Sequence, residues 1–257
     1  MIKVNDTIIN QQQFPDGTLL LKTEGIEVSD ITITWLYEND SELFSIICLA
    51  KKAIKKRLVM PYIPHARMDR CKAPEDTFTL KYFAEIINSL GFDKVTVLDP
   101  HSNVSVALID RVEALNPKAY IDKVIDKIGA DNLMLFFPDE GSMKRYSDMS
   151  NLPYAFGIKK RDWKTGNILG LDVIDNGLSL TGKKILIIDD ICSRGGTFYH
   201  SAKKLKELGV GDVYLYITHC ENTILEGDVL TSGLIEKVYT TNSIFTKKHE
   251  KVEVYAI

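Results

Sequence analysis

At 257 residues, with 45% hydrophobic and 26% charged side chains, the chain has a globular balance and room for one large domain or two small ones. Its 32 basic and 35 acidic residues leave a formal charge of -3, which offers no bulk attraction for nucleic acid or an anionic membrane but leaves room for a local cationic site. Cys48, Cys71, Cys192 and Cys220 form no CxxC pair, the residues 1–13 are too polar for a signal peptide, and no apolar run approaches the ~20 residues that span a bilayer, so a soluble cytoplasmic protein is expected.

In chain order, the turn Phe14-Pro15-Asp16-Gly17 precedes an apolar run over Thr18–Leu21, and Ile31–Leu36 predicts a strand. Asn39 or Asp40 is placed to cap a following helix, with Glu42 at capping-box spacing from Asn39. Leu43, Ile46, Ile47, Ala50, Ala53 and Ile54 recur on one face of that helix, and Lys51, Lys52, Lys55, Lys56 and Arg57 are expected in its last turns. A strand over Leu58–Tyr62, a helix over Thr77–Leu90 closed by Gly91, and a strand over Val95–Leu98 ending at Asp99-Pro100-His101 follow.

The second half repeats this alternation. Strands are expected over Leu133–Phe137, Pro153–Ile158, Lys184–Ile188 and Val213–Ile217, with a helix from about Thr197 to Leu208. The apolar run at Lys184–Ile188 has the character of a strand buried on both faces. Alternating strands and helices indicate an α/β fold of mostly parallel sheets flanked by helices. A boundary near Asn116-Pro117 divides the chain into lobes over 1–120 and 121–257, the last residues packing back on the first lobe.

The chemistry is concentrated in Ile185-Leu186-Ile187-Ile188-Asp189-Asp190-Ile191-Cys192-Ser193-Arg194-Gly195-Gly196-Thr197. A buried strand delivers two adjacent carboxylates to the carboxyl edge of its sheet, and a glycine turn then opens a helix. Glycine lets backbone N–H groups approach an anion closely, and a helix N-terminus favours negative charge. The arrangement suits a phosphate monoester, with paired acids for sugar hydroxyls or a metal. Gly177-Leu178-Ser179-Leu180-Thr181-Gly182-Lys183-Lys184 nearly fits the P-loop pattern, but it has Lys184 where a hydroxyl is needed and precedes a strand instead of following one.

The apolar strand, two acids and Gly-Gly-Thr loop resemble the type I phosphoribosyltransferase family, and further segments narrow the likeness to the ribose-phosphate pyrophosphokinases. Those segments are Pro61-Tyr62-Ile63-Pro64-His65-Ala66-Arg67-Met68-Asp69-Arg70, Val97-Leu98-Asp99-Pro100-His101-Ser102, the Phe14–Gly17 turn, Pro138-Asp139-Glu140-Gly141, Lys159-Lys160-Arg161, Thr218-His219 and Thr241-Asn242-Ser243-Ile244. The resemblance implies two tandem phosphoribosyltransferase-like lobes and a magnesium-dependent transfer of pyrophosphate from ATP to ribose 5-phosphate. It further implies a homo-oligomer, dimer or higher.

By the same resemblance Lys159 and Arg161 stabilise the transferred group from a mobile loop, while Phe14, Asp16, Arg67, Asp69 and His101 serve ATP. His101 and Asp139 are its magnesium positions, and Asp189, Asp190, Ser193, Arg194, Gly195, Gly196 and Thr197 hold ribose 5-phosphate. Met68, Thr18, Ser193, Arg194 and Ser142 depart from the family pattern, Ser193 standing where it has an acid. The stretches ahead of the Phe14 turn and after the last strand are short against the family, so weak regulation by phosphate or ADP is expected. A phosphoribosyltransferase consuming phosphoribosyl pyrophosphate and an inactive regulatory relative are the competing readings.

Overall fold

The computed structural model describes residues 1–161, 168–175 and 177–257, and the side chains of 159–161 and 168–169 lie outside that description. The chain divides into two units, Met1–Asn116 and Pro117–Ile257.

The first unit contains β1 (Ile2–Val4), β2 (Thr7–Ile8), β3 (Gln11–Gln13), β4 (Leu19–Leu21), β5 (Asp30–Trp35), α1 (Glu42–Lys52), β6 (Lys55–Val59), α2 (Thr79–Ser89), β7 (Lys94–Leu98), α3 (Asn103–Leu108) and β8 (Val112–Leu115). Its main sheet runs β2-β1-β5-β6-β7-β8. The β5 to β8 pairs are parallel, and β1 lies antiparallel to β5. β3 and β4 form a separate hairpin whose register pairs Gln13 with Leu19. Ile31, Ile33 and Trp35 of β5 pack with Ile46, Leu49 and Ala50 of α1 and Leu80, Phe83, Ala84 and Ile87 of α2 in one apolar core.

Two local expectations change here. The capping box of α1 does not form, because the Glu42 carboxylate instead accepts from the buried Trp35 indole at 2.9 Å and from the Glu38 backbone at 2.9 Å. The cations Lys55–Arg57 are not helical. They begin β6, where Arg57 donates to Thr32 at 3.1 Å and Asp30 at 2.7 Å on β5. These cross-strand partners outweigh the weak attraction of a helix C-terminus for cations.

The second unit contains α4 (Lys118–Ile128), β9 (Leu133–Phe137), α5 (Glu140–Tyr146), β10 (Tyr154–Arg161), β11 (Ile168–Ile174), β12 (Lys184–Cys192), α6 (Gly196–Glu207), β13 (Val213–Cys220), β14 (Lys237–Thr241) and β15 (Val252–Tyr255). Their order is β11-β10-β9-β12-β13-β14-β15, parallel from β10 through β15 and antiparallel only between β10 and β11. The last residues therefore extend the second sheet, β15 pairing with β14. Lys127 of α4 fixes β15 by bonding Glu253 at 2.6 Å.

Strand periodicity builds two cores from these strands. Met134 and Phe136 of β9, Ile185 and Ile187 of β12, and Val213, Leu215 and Ile217 of β13 face one layer. Leu133, Leu135, Phe137, Leu186, Ile188 and Tyr216 face the other. Both faces are covered, which explains why these strands read as continuous apolar runs. Of the cysteines, Cys192 and Cys220 are buried side by side in register on β12 and β13, Cys48 is half-buried and Cys71 is exposed. Among the described residues, no helix is long and apolar enough to cross a membrane.

Phe136 has no exposed surface in the centre of this sheet. Phe136→Ala should cost about 3–5 kcal/mol, the loss of aromatic burial plus the cavity left behind. Urea titration followed by a probe in the second unit should show the lower midpoint.

Candidate active site

β12 carries the core residues Ile185–Ile188 and continues as strand through Asp189 and Asp190 to Cys192, four residues beyond the expected end. Pairing with β13 continues along this stretch, Asp189 opposite Ile217 and Ile191 opposite His219. The two acids are thus held on a rigid ladder. Gly195 then takes a left-handed conformation, φ 80°, and α6 starts at Gly196. Only glycine adopts that turn without strain, and a side chain there would also collide with Val229. Phe198 and Tyr199 donate their backbone N–H groups to the Gly195 carbonyl, so the helix is wound from its first turn.

The acids are crowded. Burial, then the neighbouring charges of Asp190 and Asp139, push the Asp189 carboxyl well above the ordinary carboxylate range. Asp190 is better compensated: Arg145 of α5 donates to it at 3.1 Å. Sequence reasoning missed Arg145 because it missed α5, a seven-residue helix rich in polar side chains. The signal was present in the Asp139-to-Ser142 spacing. Asp139 caps α5, accepting from the Ser142 backbone at 3.1 Å, and the Ser142 hydroxyl returns to the Asp139 backbone to complete a capping box. The serine that departs from the family pattern therefore fixes the helix that aims Arg145.

The loop from Ser193 to Gly195 is seated on the segment after β13. The Glu221 N–H donates to the Cys192 carbonyl at 2.8 Å. Ser193 pairs with Thr223 at 3.2 Å, and Thr223 in turn donates to Glu221 at 3.1 Å. Arg194 turns to Glu226 at 3.0 Å. A methyl group at Gly227 would overlap the Arg194 carbonyl, so that glycine permits the close approach. Below the loop, the Cys192 thiol is held well above the usual thiol range by its hydrogen bond to Cys220 and by burial. Next to it, buried His219 bonds Ser243 at 2.8 Å, tying the carboxyl end of β13 to the turn after β14.

In the first unit, the Phe14–Gly17 turn joins β3 and β4 as expected. Phe14 is 50% exposed and so not a core residue. Asp16 accepts from the Thr18 hydroxyl at 2.7 Å and its N–H at 3.0 Å, which lowers its pKa. Arg67 is exposed in the segment after β6, and Asp69 lies 3.6 Å from Arg70. Two non-glycine residues beyond the carboxyl ends of β6 and β7, His65 and Asp99, have φ of 63° and 44°. Such left-handed backbone is concentrated at functional sites. His101 follows two residues later, at the start of the turn into α3.

Lys159 and Arg161 belong to β10, whose backbone pairs with β11 at Lys159–Leu171 and Arg161–Ile168, so the expected mobile loop is a strand at these positions. The register shifts between Lys160 and Arg161. Their side chains lie outside the described residues. Among the described residues, no group of three or more His, Cys, Asp or Glu is arranged to hold a metal ion by itself.

No family model matches the chain. Ribose-phosphate pyrophosphokinase from Aquifex aeolicus is 32% identical over 228 residues, 85% of this chain and 72% of that protein. The chloroplastic ribose-phosphate pyrophosphokinase 2 of Oryza sativa subsp. japonica is 28% identical over 253 residues, 93% of this chain and 62% of that one. Among solved structures, phosphoribosylpyrophosphate synthetase from Mycobacterium smegmatis matches with a TM-score of 0.78, covering 97% of this chain and 86% of that one at 20% identity, a likeness of fold.

The raised Asp189 carboxyl makes a signed prediction. Below the ordinary carboxylate pKa the group is protonated folded or unfolded and contributes nothing. As pH rises past that value the unfolded chain ionises first, so folding loses stability until the folded carboxyl also ionises. Asp189→Asn should therefore raise the melting temperature of ligand-free protein at pH 7, with the gain vanishing below about pH 4. Scanning calorimetry across that range measures it.

Proposed function

The chain belongs to the ribose-phosphate pyrophosphokinase family, and from that premise we propose that it transfers the pyrophosphoryl group of ATP to the 1-hydroxyl of ribose 5-phosphate. The observation that carries this reading is the run of β12 through Asp189 and Asp190 into the Gly195 turn and the N-terminus of α6. It presents acceptors for sugar hydroxyls beside backbone donors for a phosphate monoester.

The hydroxyl oxygen attacks the β-phosphorus, the bond from that phosphorus to the oxygen bridging the α-phosphate breaks, AMP leaves, and the hydroxyl proton passes to solvent. Asp189 and Asp190 accept from the ribose hydroxyls, and Arg145 holds Asp190 in orientation. The Ser193–Thr197 loop holds the 5-phosphate. Lys159 and Arg161 stabilise charge on the transferred group, the largest source of rate in such reactions. Arg67, Asp69, Phe14, Asp16 and His101 bind ATP, with Phe14 exposed on its hairpin where a base can stack on it.

The cofactor we assign is Mg²⁺, at Asp139 and His101 by resemblance. The crowding of Asp189 by Asp190 and Asp139 fits it, because Arg145 offsets only part of that negative charge and Mg²⁺ is held through few protein ligands and several waters. When bound, the ion supplies neutralisation of the triphosphate. A cytoplasmic homo-oligomer, with the exposed hairpin reaching a neighbouring subunit, completes the proposal.

Purified protein should form AMP and phosphoribosyl pyrophosphate together only when ATP, ribose 5-phosphate and Mg²⁺ are all present; absence of AMP with each of several nucleotides would overturn the reading. Lys159→Ala should lower kcat by about 10²- to 10³-fold while calorimetric affinity for ribose 5-phosphate is kept. Asp190→Ala should raise the KM for ribose 5-phosphate by about 10- to 100-fold.

A further inference from the structure

The loop assigned to the sugar phosphate contains an arginine, and that arginine is already occupied. Arg194 Nη2 lies 3.0 Å from Glu226 Oε2, and both side chains are open to solvent, at 72% and 57%. Arg194 immediately precedes the left-handed Gly195 and the first residue of α6, so its Cα stands at the mouth of the anion-binding turn. The backbone around it has little freedom. The Arg194 carbonyl is packed against Gly227, Gly195 is packed against Val229, and Cys192 is bonded through its carbonyl to the Glu221 N–H. What can move is the guanidinium itself. An exposed ion pair is weak, because water and salt screen it and two long side chains must be ordered to make it. A phosphate dianion offers the same guanidinium a stronger partner, with two oxygens matching its planar fork.

We propose that Glu226 sets the affinity of this site for phosphate monoesters by competing with the incoming phosphate for Arg194. This rests on the assignment of the Ser193–Thr197 loop to the sugar phosphate. In the ligand-free protein Glu226 holds the guanidinium and shields its charge. On binding, Arg194 exchanges the carboxylate for the phosphate, and the carboxylate returns to water. No bond or proton is exchanged. Glu226 is a positioning residue, since it acts through Arg194 and touches no substrate.

The test is a double-mutant cycle on the full-length protein, read by titration calorimetry with ribose 5-phosphate and, separately, inorganic phosphate, without ATP. Glu226→Gln should tighten binding of both by about three- to fivefold, the range expected for releasing a cation from an exposed pair. Arg194→Gln should weaken both, and in that background Glu226→Gln should give little further change. Unaltered or weaker binding by Glu226→Gln overturns the proposal, as does an equal gain in the Arg194→Gln background, which would reflect only the removal of a nearby negative charge. Melting temperatures identify a variant that misfolds, and Glu226→Ala then repeats the measurement. If wild-type protein binds neither ligand, the loop assignment fails together with the proposal; if it binds both and Glu226→Gln changes nothing, the proposal alone fails.

Discussion

The second unit depends on β12 carrying two carboxylates directly off the end of a doubly buried strand. Ile185 to Ile188 are packed on both faces, and beyond them Asp189 stays in register with Ile217 and Ile191 with His219, on either side of Asp190. Neither acid can relax away from the other without breaking the ladder. The protein therefore keeps a local excess of negative charge in partly dry surroundings, and the cost falls on Asp189. Such arrangements trade stability for a site already shaped for its ligand.

The surrounding elements divide the compensation. α5 supplies Arg145 to Asp190, and α5 is itself set by the Asp139–Ser142 capping box. Asp139 thus both raises the electrostatic cost at Asp189 and starts the helix that lowers it at Asp190. On the other side, the segment after β13 clamps the turn from Cys192 to Arg194 through Glu221, Thr223 and Gly227. The loop is held by contacts distant in sequence, about thirty residues away in the Ser193–Thr223 pair.

How much of this was legible in the sequence follows from the range of the forces. β9 and β12 were readable because burial on both faces removes polar residues from the strand, leaving a continuous signal. The acids and glycines at 189–197 were readable because tight turns restrict residue type locally. β11 was not: Gly170 and Asp172 interrupt its apolar pattern, and it forms by pairing with β10. Lys55–Arg57 were misplaced in a helix because β6 forms by pairing with β5, and the side-chain partners of Arg57 there, Thr32 and Asp30, lie 25 and 27 residues away. Arg145 and Glu226 were hidden for the same reason, each acquiring its role from a partner at least 32 residues away. The departures from the family pattern at Ser142 and Ser193 each have a named partner in the fold, Asp139 and Thr223.

The distribution of thiols gives the protein a built-in handle. Cys192 and Cys220 are buried at the end of β12 and β13 and Cys48 is half-covered, whereas Cys71 is exposed, four residues after Arg67, in a turn closed by Asp76. A maleimide dye will therefore couple to Cys71 first. The wild-type chain can carry a fluorophore in the first unit without engineering, and its emission can follow events there while the buried pair stays chemically silent.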